Sequence, residues 1–125
     1  KYSKRGEKNC RIIYGNKYYK LISNVKSFSP EMAEWLIVEG YGKVLGRTGL
    51  TLKEREICIV SILSALKFKD QLYSHINGSV KVKAGFDLIT RTINNLEIIS
   101  AKSSVKYGLN VLREYQLKWN QKNVV

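Results

Sequence analysis

Proline, cysteine and histidine are scarce in this sequence, and acids are outnumbered by bases two to one. A single proline, Pro30, occurs in 125 residues, so long helices are permitted over most of the length. The two cysteines, Cys10 and Cys58, lie far apart and form no C-x-x-C pair. That argues against a disulfide framework, a zinc knuckle or a dithiol redox motif, and fits a reduced, cytoplasmic setting. The longest apolar run, Ile57 to Leu66, is broken by Ser61 and Ser64 and falls well short of the roughly 20 residues that cross a bilayer. No membrane role is expected, and no signal peptide is visible. Strand alternation persists nowhere, and no internal repeat or low-complexity tract is present. The expectation is an all-α bundle of about five to six helices forming one domain over residues 1–125.

Basic residues stand out among what is present. Lys and Arg number 22 against 10 Asp and Glu, giving a formal charge of +12. Nucleic acid, an anionic membrane or acidic metabolites are the partners such a charge suggests. The bases are scattered as singles and pairs and lysine dominates, which equally describes a solvated surface. We favour that reading, so nucleic acid is a possible partner but not the preferred one.

Residues 1–28 are basic and tyrosine-rich, with a short apolar patch at Ile12, Ile13 and Tyr14 and a short helix through Tyr18, Tyr19, Leu21 and Ile22. This stretch is read as an arm packed on the helical core. Ser29-Pro30-Glu31 is a helix start, combining a capping hydroxyl, a first-turn proline and an acid at the positive end of the dipole. That helix should run to about Leu45, with Gly40 and Gly42 allowing a neighbour close. Gly46 to Gly49 is a turn, and Thr51-Leu52-Lys53-Glu54 forms a capping box. The helix it opens is apolar nearly all round from Ile57 to Leu66, as expected for a central element with Cys58 a packed core thiol. A third helix follows a cap at Asp70, carries Leu72, Ile76 and Val80, and should stop near Gly85. A fourth begins after Asp87 with Ile89, Ile93 and Leu96, and a last one shows Val105, Leu109, Leu112 and Trp119 on one face.

Glu56 and His75 are the candidates for chemistry. Glu56 shares a helical face with Ile59, Val60 and Leu63, which points an acid at the core. Burial penalises the charged form of a carboxylate, the circumstance in which such groups are recruited for proton transfer. His75, the only histidine, follows Leu72 by one turn and precedes Ser79 by one turn, so it should be at least half-buried. The short connection from Lys67 to Lys69 suggests antiparallel helices, bringing the two side chains to one ligand. The competing reading is that Glu56 serves the helix dipole, with Arg55 or Arg47 neutralising it.

Three ordered stretches resemble the carboxymuconolactone decarboxylases of the alkylhydroperoxidase-D-like superfamily. They are Tyr41-Gly42-Lys43-Val44-Leu45-Gly46-Arg47-Thr48-Gly49-Leu50, then Lys53-Glu54-Arg55-Glu56, then Gln71-Leu72-Tyr73-Ser74-His75-Ile76-Asn77-Gly78. The similarity extends back through Tyr14-Gly15 and Arg5-Gly6, covering most of the chain up to about Gly85. Peroxidase members place cysteines seven and four residues before the matching histidine. Here Phe68 and Gln71 stand in those places, so thiol peroxidase activity is not expected. The family's Gly-aromatic-Pro stretch after the fourth helix is also missing, with Ser104-Val105-Lys106-Tyr107-Gly108 in its place.

The resemblance implies an alkylhydroperoxidase-D-like bundle, a homo-oligomer (trimer or hexamer), and a cofactor-free carboxy-lyase of aromatic compound catabolism acting on a small anionic metabolite. It implies proton relay by Glu56 and His75, anion binding by Arg47 or Arg55, and Tyr41 and Trp35 beside the pocket. Two alternatives remain open on the sequence. One is a noncatalytic binding module with a polyanion-binding basic surface, and the other is an enzyme with a different small-molecule substrate on the same scaffold.

Overall fold

The computed structural model describes residues 1–99 and 101–123 and, among them, is helical throughout with no strand. The all-α expectation therefore holds. No helix among the described residues is long and apolar enough to cross a membrane. The chain divides into two compact units, Lys1–Arg55 and Glu56–Val125.

In the first unit the stretch expected to form an arm is helical. Residues Tyr2–Tyr14 form helix α1, Gly15–Lys17 a single 3₁₀ turn, and Tyr18–Phe28 helix α2. α1 buries Gly6, Cys10 and Ile13, the i, i+4, i+7 stripe of an amphipathic helix. Its pattern is hidden in the sequence because one of the three has no side chain and the others sit among charges. Gly15, at φ 56°, ends the helix in a left-handed conformation that glycine adopts without steric cost.

Helix α3, Pro30–Trp35, starts where expected, with the Ser29 hydroxyl accepting from the Met32 amide at 3.1 Å. From Leu36 to Val44 the chain continues as a wider π-helical stretch, closed by Leu45 N–H donating to the Gly40 carbonyl at 2.8 Å. α1 lies along this stretch. A methyl group on Gly6 would run into the Ile37 carbonyl and one on Gly42 into that of Tyr2, so both glycines are needed for the crossing. Gly40, by contrast, faces open space. Carbonyls near the C-terminal end of the stretch, lacking helical donors, accept from α1: Arg5 Nε reaches Gly42 O at 2.7 Å, and Asn9 Nδ2 reaches Tyr41 O at 3.0 Å.

Helix α4 spans Leu52–Leu66. Its predicted capping box is formed, with Thr51 N–H donating to Glu54 Oε2 at 2.7 Å and Glu54 N–H to Thr51 Oγ1 at 3.3 Å. The expectation of a helix buried on most sides is corrected: only Glu56, Val60 and Ser64 are fully covered. Cys58 is exposed rather than a core thiol, and Ile62 and Leu66 are more than half exposed.

In the second unit α5 is Lys69–Lys81, α6 is Phe86–Asn94 followed by a 3₁₀ turn over Asn95–Ile98, and α7 is Lys102–Asn123. α5 has Phe68, not Asp70, at its N-cap and ends at Lys81, earlier than Gly85; Asp70 sits in the first turn. Gly85 is the N-cap of α6, and Asp87 lies inside it. The core comprises Val60, Leu72, Ile76, Ala84, Ile89, Ile93, Val111, Leu112 and Tyr115. α7 turns Ser104, Gly108, Val111, Leu112 and Tyr115 inward, a rotation away from the predicted Val105, Leu109 and Trp119 face. Gly108 explains the rotation, because a Cβ there would lie 2.7 Å from Ser64 Oγ and 2.8 Å from Ile93 Cγ2. α7 thus presents its smallest residue to Ser64 of α4 and Ile93 of α6.

Candidate active site

Glu56 belongs to the buried stripe of α4, one turn before Val60 and two before Ser64. The serine is neutralised within its own helix, donating to the Val60 carbonyl at 2.8 Å. A carboxylate has no comparable local solution, being an acceptor only. Its partner comes from α5, where Leu72, Ile76 and Ser79 are buried and His75 lies at the edge of that face. His75 Nδ1 and Glu56 Oε2 are 2.9 Å apart, with the side chains 13% and 0% exposed respectively. The juxtaposition expected from the sequence is present.

With Glu56 ionised, the proton resides on Nδ1 and the ring donates to Oε2. The contact then fixes the tautomer and directs Nε2, the nitrogen not engaged by Glu56, away from the carboxylate. The pair can therefore hold, receive and release one proton at Nε2, which is general acid-base chemistry. Glu56 Oε1 and Ser79 Oγ are buried with no hydrogen-bond partner among the described residues.

Sequence reasoning missed the aromatic cluster in the same unit. Tyr115, on α7, donates its hydroxyl to Asn77 Oδ1 at 3.0 Å. Its ring stands edge-on to Tyr73, with centroids 5.3 Å apart, and stacks on Trp119 at 6.2 Å. Burial, with a smaller contribution from Tyr73, pushes the Tyr115 phenol up to about 12. Lys118 Nζ sits 5.2 Å from the centre of the Tyr73 ring. A hollow of about 270 Å³ opens nearby, bounded by Tyr73, Ser74, Lys69, Asp70, Glu114 and Lys118. Both lysines are engaged by Glu114, at 2.9 Å from Lys69 and 3.4 Å from Lys118. The signal for Tyr115 was its spacing from Val111 and Leu112, obscured because Val105, Leu109 and Leu112 form an equally regular series.

The remaining candidates belong to the first unit. Arg47 is exposed. Arg55 uses Nη2 to donate to the carbonyls of Arg47 and Thr48, at 2.8 and 3.1 Å, strapping the turn before α4. Adjacent helical residues diverge by about 100°, so Arg55 holds this turn while Glu56 enters the core. Tyr41 is 3% exposed and meets Tyr14 edge-on at 6.1 Å, a packed core residue of its unit. Trp35 is largely exposed. No protein-family model matches the chain, and no curated protein matches it.

Proposed function

We propose that the protein is a cofactor-free carboxy-lyase that uses the Glu56–His75 pair to manage one proton, with a small lactone carboxylic acid as substrate. The observation that supports this reading is the contact between a fully buried carboxylate and the only histidine of the sequence, 2.9 Å apart. The resemblance of the flanking stretches to carboxymuconolactone decarboxylases supplies the reaction class.

In such a reaction the bond between the ring carbon and the carboxylate carbon breaks, and carbon dioxide leaves. The electron pair spreads into the conjugated lactone, whose carbonyl oxygen takes up negative charge. Protonation of carbon completes the turnover, consuming one proton overall. His75 delivers that proton from Nε2 and stabilises the developing charge, while Glu56 holds the ring in place through Nδ1. A homo-oligomeric assembly is part of the same proposal.

The test is carbon dioxide release by purified protein from 4-carboxymuconolactone, comparing wild type with His75→Ala and Glu56→Gln. Loss of turnover in both variants, with folding intact, supports the reading. An inactive wild type overturns this substrate and moves the weight to another small molecule, or to polyanion binding by the +12 surface. The latter would show as affinity for nucleic acid that falls steeply with salt.

A further inference from the structure

Glu56 and Ser79 share an unexplained property. Both are 0% exposed, and both carry a side-chain oxygen, Oε1 and Oγ respectively, with no hydrogen-bond partner among the described residues. Ser79 follows His75 by four residues on α5, so it lies one turn along the same face. Glu56 reaches that face through the bond from its other oxygen, Oε2, to His75 Nδ1. Ser79 thus lies one helical turn from the histidine that Glu56 bonds.

Leaving either atom unbonded in the interior is destabilising, and natural folds resolve such groups with a partner. Their chemistry restricts what the partner is. A carboxylate oxygen only accepts, whereas a serine hydroxyl both donates and accepts. Ser79 does not resort to the internal bond that satisfies Ser64, whose hydroxyl donates to the carbonyl four residues earlier. A single oxygen with two hydrogens satisfies both groups, accepting from Ser79 Oγ–H and donating to Glu56 Oε1. An anion would meet the Glu56 charge, and an apolar group would leave both atoms unbonded.

We infer that Ser79 and Glu56 Oε1 hold one internal water, and that Ser79 is through it a positioning residue for the Glu56–His75 pair. The bridge pins the carboxylate by its second oxygen, so that Oε2 is held toward Nδ1 and the ring tautomer is fixed from behind. The catalytic consequence rests on the proposed reaction; the site itself does not, and its test requires no turnover.

The absence of any other histidine gives the experiment a single set of ring resonances. Long-range proton–nitrogen spectra of the wild type and Ser79→Ala read the Nδ1 and Nε2 shifts of His75, and urea unfolding reads stability. If Ser79 is bridged to Glu56, Ser79→Ala lowers the unfolding midpoint. It also shifts the Nδ1 resonance and hastens exchange of its proton with solvent. In the wild type, a long-lived water gives cross-relaxation peaks to the amides around Ser79. An unchanged or raised midpoint would mean that the hydroxyl is a tolerated orphan, and would overturn the inference. A lower midpoint with His75 resonances unmoved would mean packing alone and would overturn it equally, as would the lack of a long-lived water in the wild type. A protein that fails to decarboxylate anything, yet shows these shifts, overturns the reaction and leaves the site standing.

Discussion

Replacing His75 by alanine tests the energetics of the buried pair directly. In the wild type one carboxylate oxygen of a fully buried Glu56 is bonded to the ring at 2.9 Å. Removing the ring leaves the carboxylate without a hydrogen bond among the described residues. Breaking a buried pair by deleting one partner costs about 3–5 kcal/mol. His75 is 13% exposed, so water reaching the vacated space offsets part of this, and a loss of about 2–4 kcal/mol is expected. Against a typical domain stability of about 5–15 kcal/mol, that is a large fraction. The double replacement Glu56→Leu with His75→Leu removes the charge and its partner together and should recover most of the loss, because well-packed apolar pairs substitute for buried ion pairs at little or no cost. Urea unfolding in a Trp35→Phe background isolates the Trp119 signal, which reports the second unit; Trp35 is 60% exposed and dispensable to packing. The reasoning is refuted if His75→Ala is within about 0.5 kcal/mol of the parent, the range of an ordinary surface change. It is equally refuted if the double variant is as unstable as the two single changes summed.

Glycine substitutions should have opposite signs at two positions. Gly108→Ala forces a methyl against Ser64 and Ile93, costing about 1–3 kcal/mol of overpacking against about 1 kcal/mol gained in helix propensity. Gly40→Ala meets nothing within 4 Å and should raise the unfolding midpoint. Thr51→Ala removes both the hydroxyl that caps Glu54 N–H and its bond to Oε2, and should lower stability by about 0.5–2 kcal/mol; circular dichroism during urea titration measures it. Tyr115, raised to about 12 from the ordinary 10, holds its proton in the folded state after the unfolded chain has lost it. Its contribution is therefore complete below about pH 10 and is lost as pH rises from 10 to 12. Ultraviolet titration should find Tyr115 among the late-ionising tyrosines, alongside Tyr18, which burial also raises, and Tyr115→Phe should remove its share of the late step and flatten the alkaline loss of stability.

Local chemistry made much of this structure legible in the sequence. Ser29-Pro30 and Thr51 to Glu54 announce helix starts because capping is decided within one turn of chain, and both caps form as expected. Glu56 and His75 were identifiable because helical spacing places each on an apolar face, and the short connection between their helices leaves few ways to join them. What failed depended on partners distant in the chain. α1 was read as part of an arm because Gly6 contributes to the interior by having no side chain, a role visible only once the Ile37 carbonyl lies against it. α7 offered two apolar faces of similar quality, and Gly108, by admitting Ser64 and Ile93, selected between them. Arg55 and Glu56 are neighbours in sequence with the same apparent claim on a site. The direction of each side chain from α4 made one a strap for the turn at Arg47 and Thr48 and the other a buried acid. The sequence by itself therefore determined the helical class, the main caps and the inward-facing positions of Glu56 and His75, since propensity, capping and periodicity act over a few residues. Which faces are buried, which arginine is engaged and which oxygens lack a partner were decided by the tertiary structure alone, because close approach and desolvation arise only when separate helices meet.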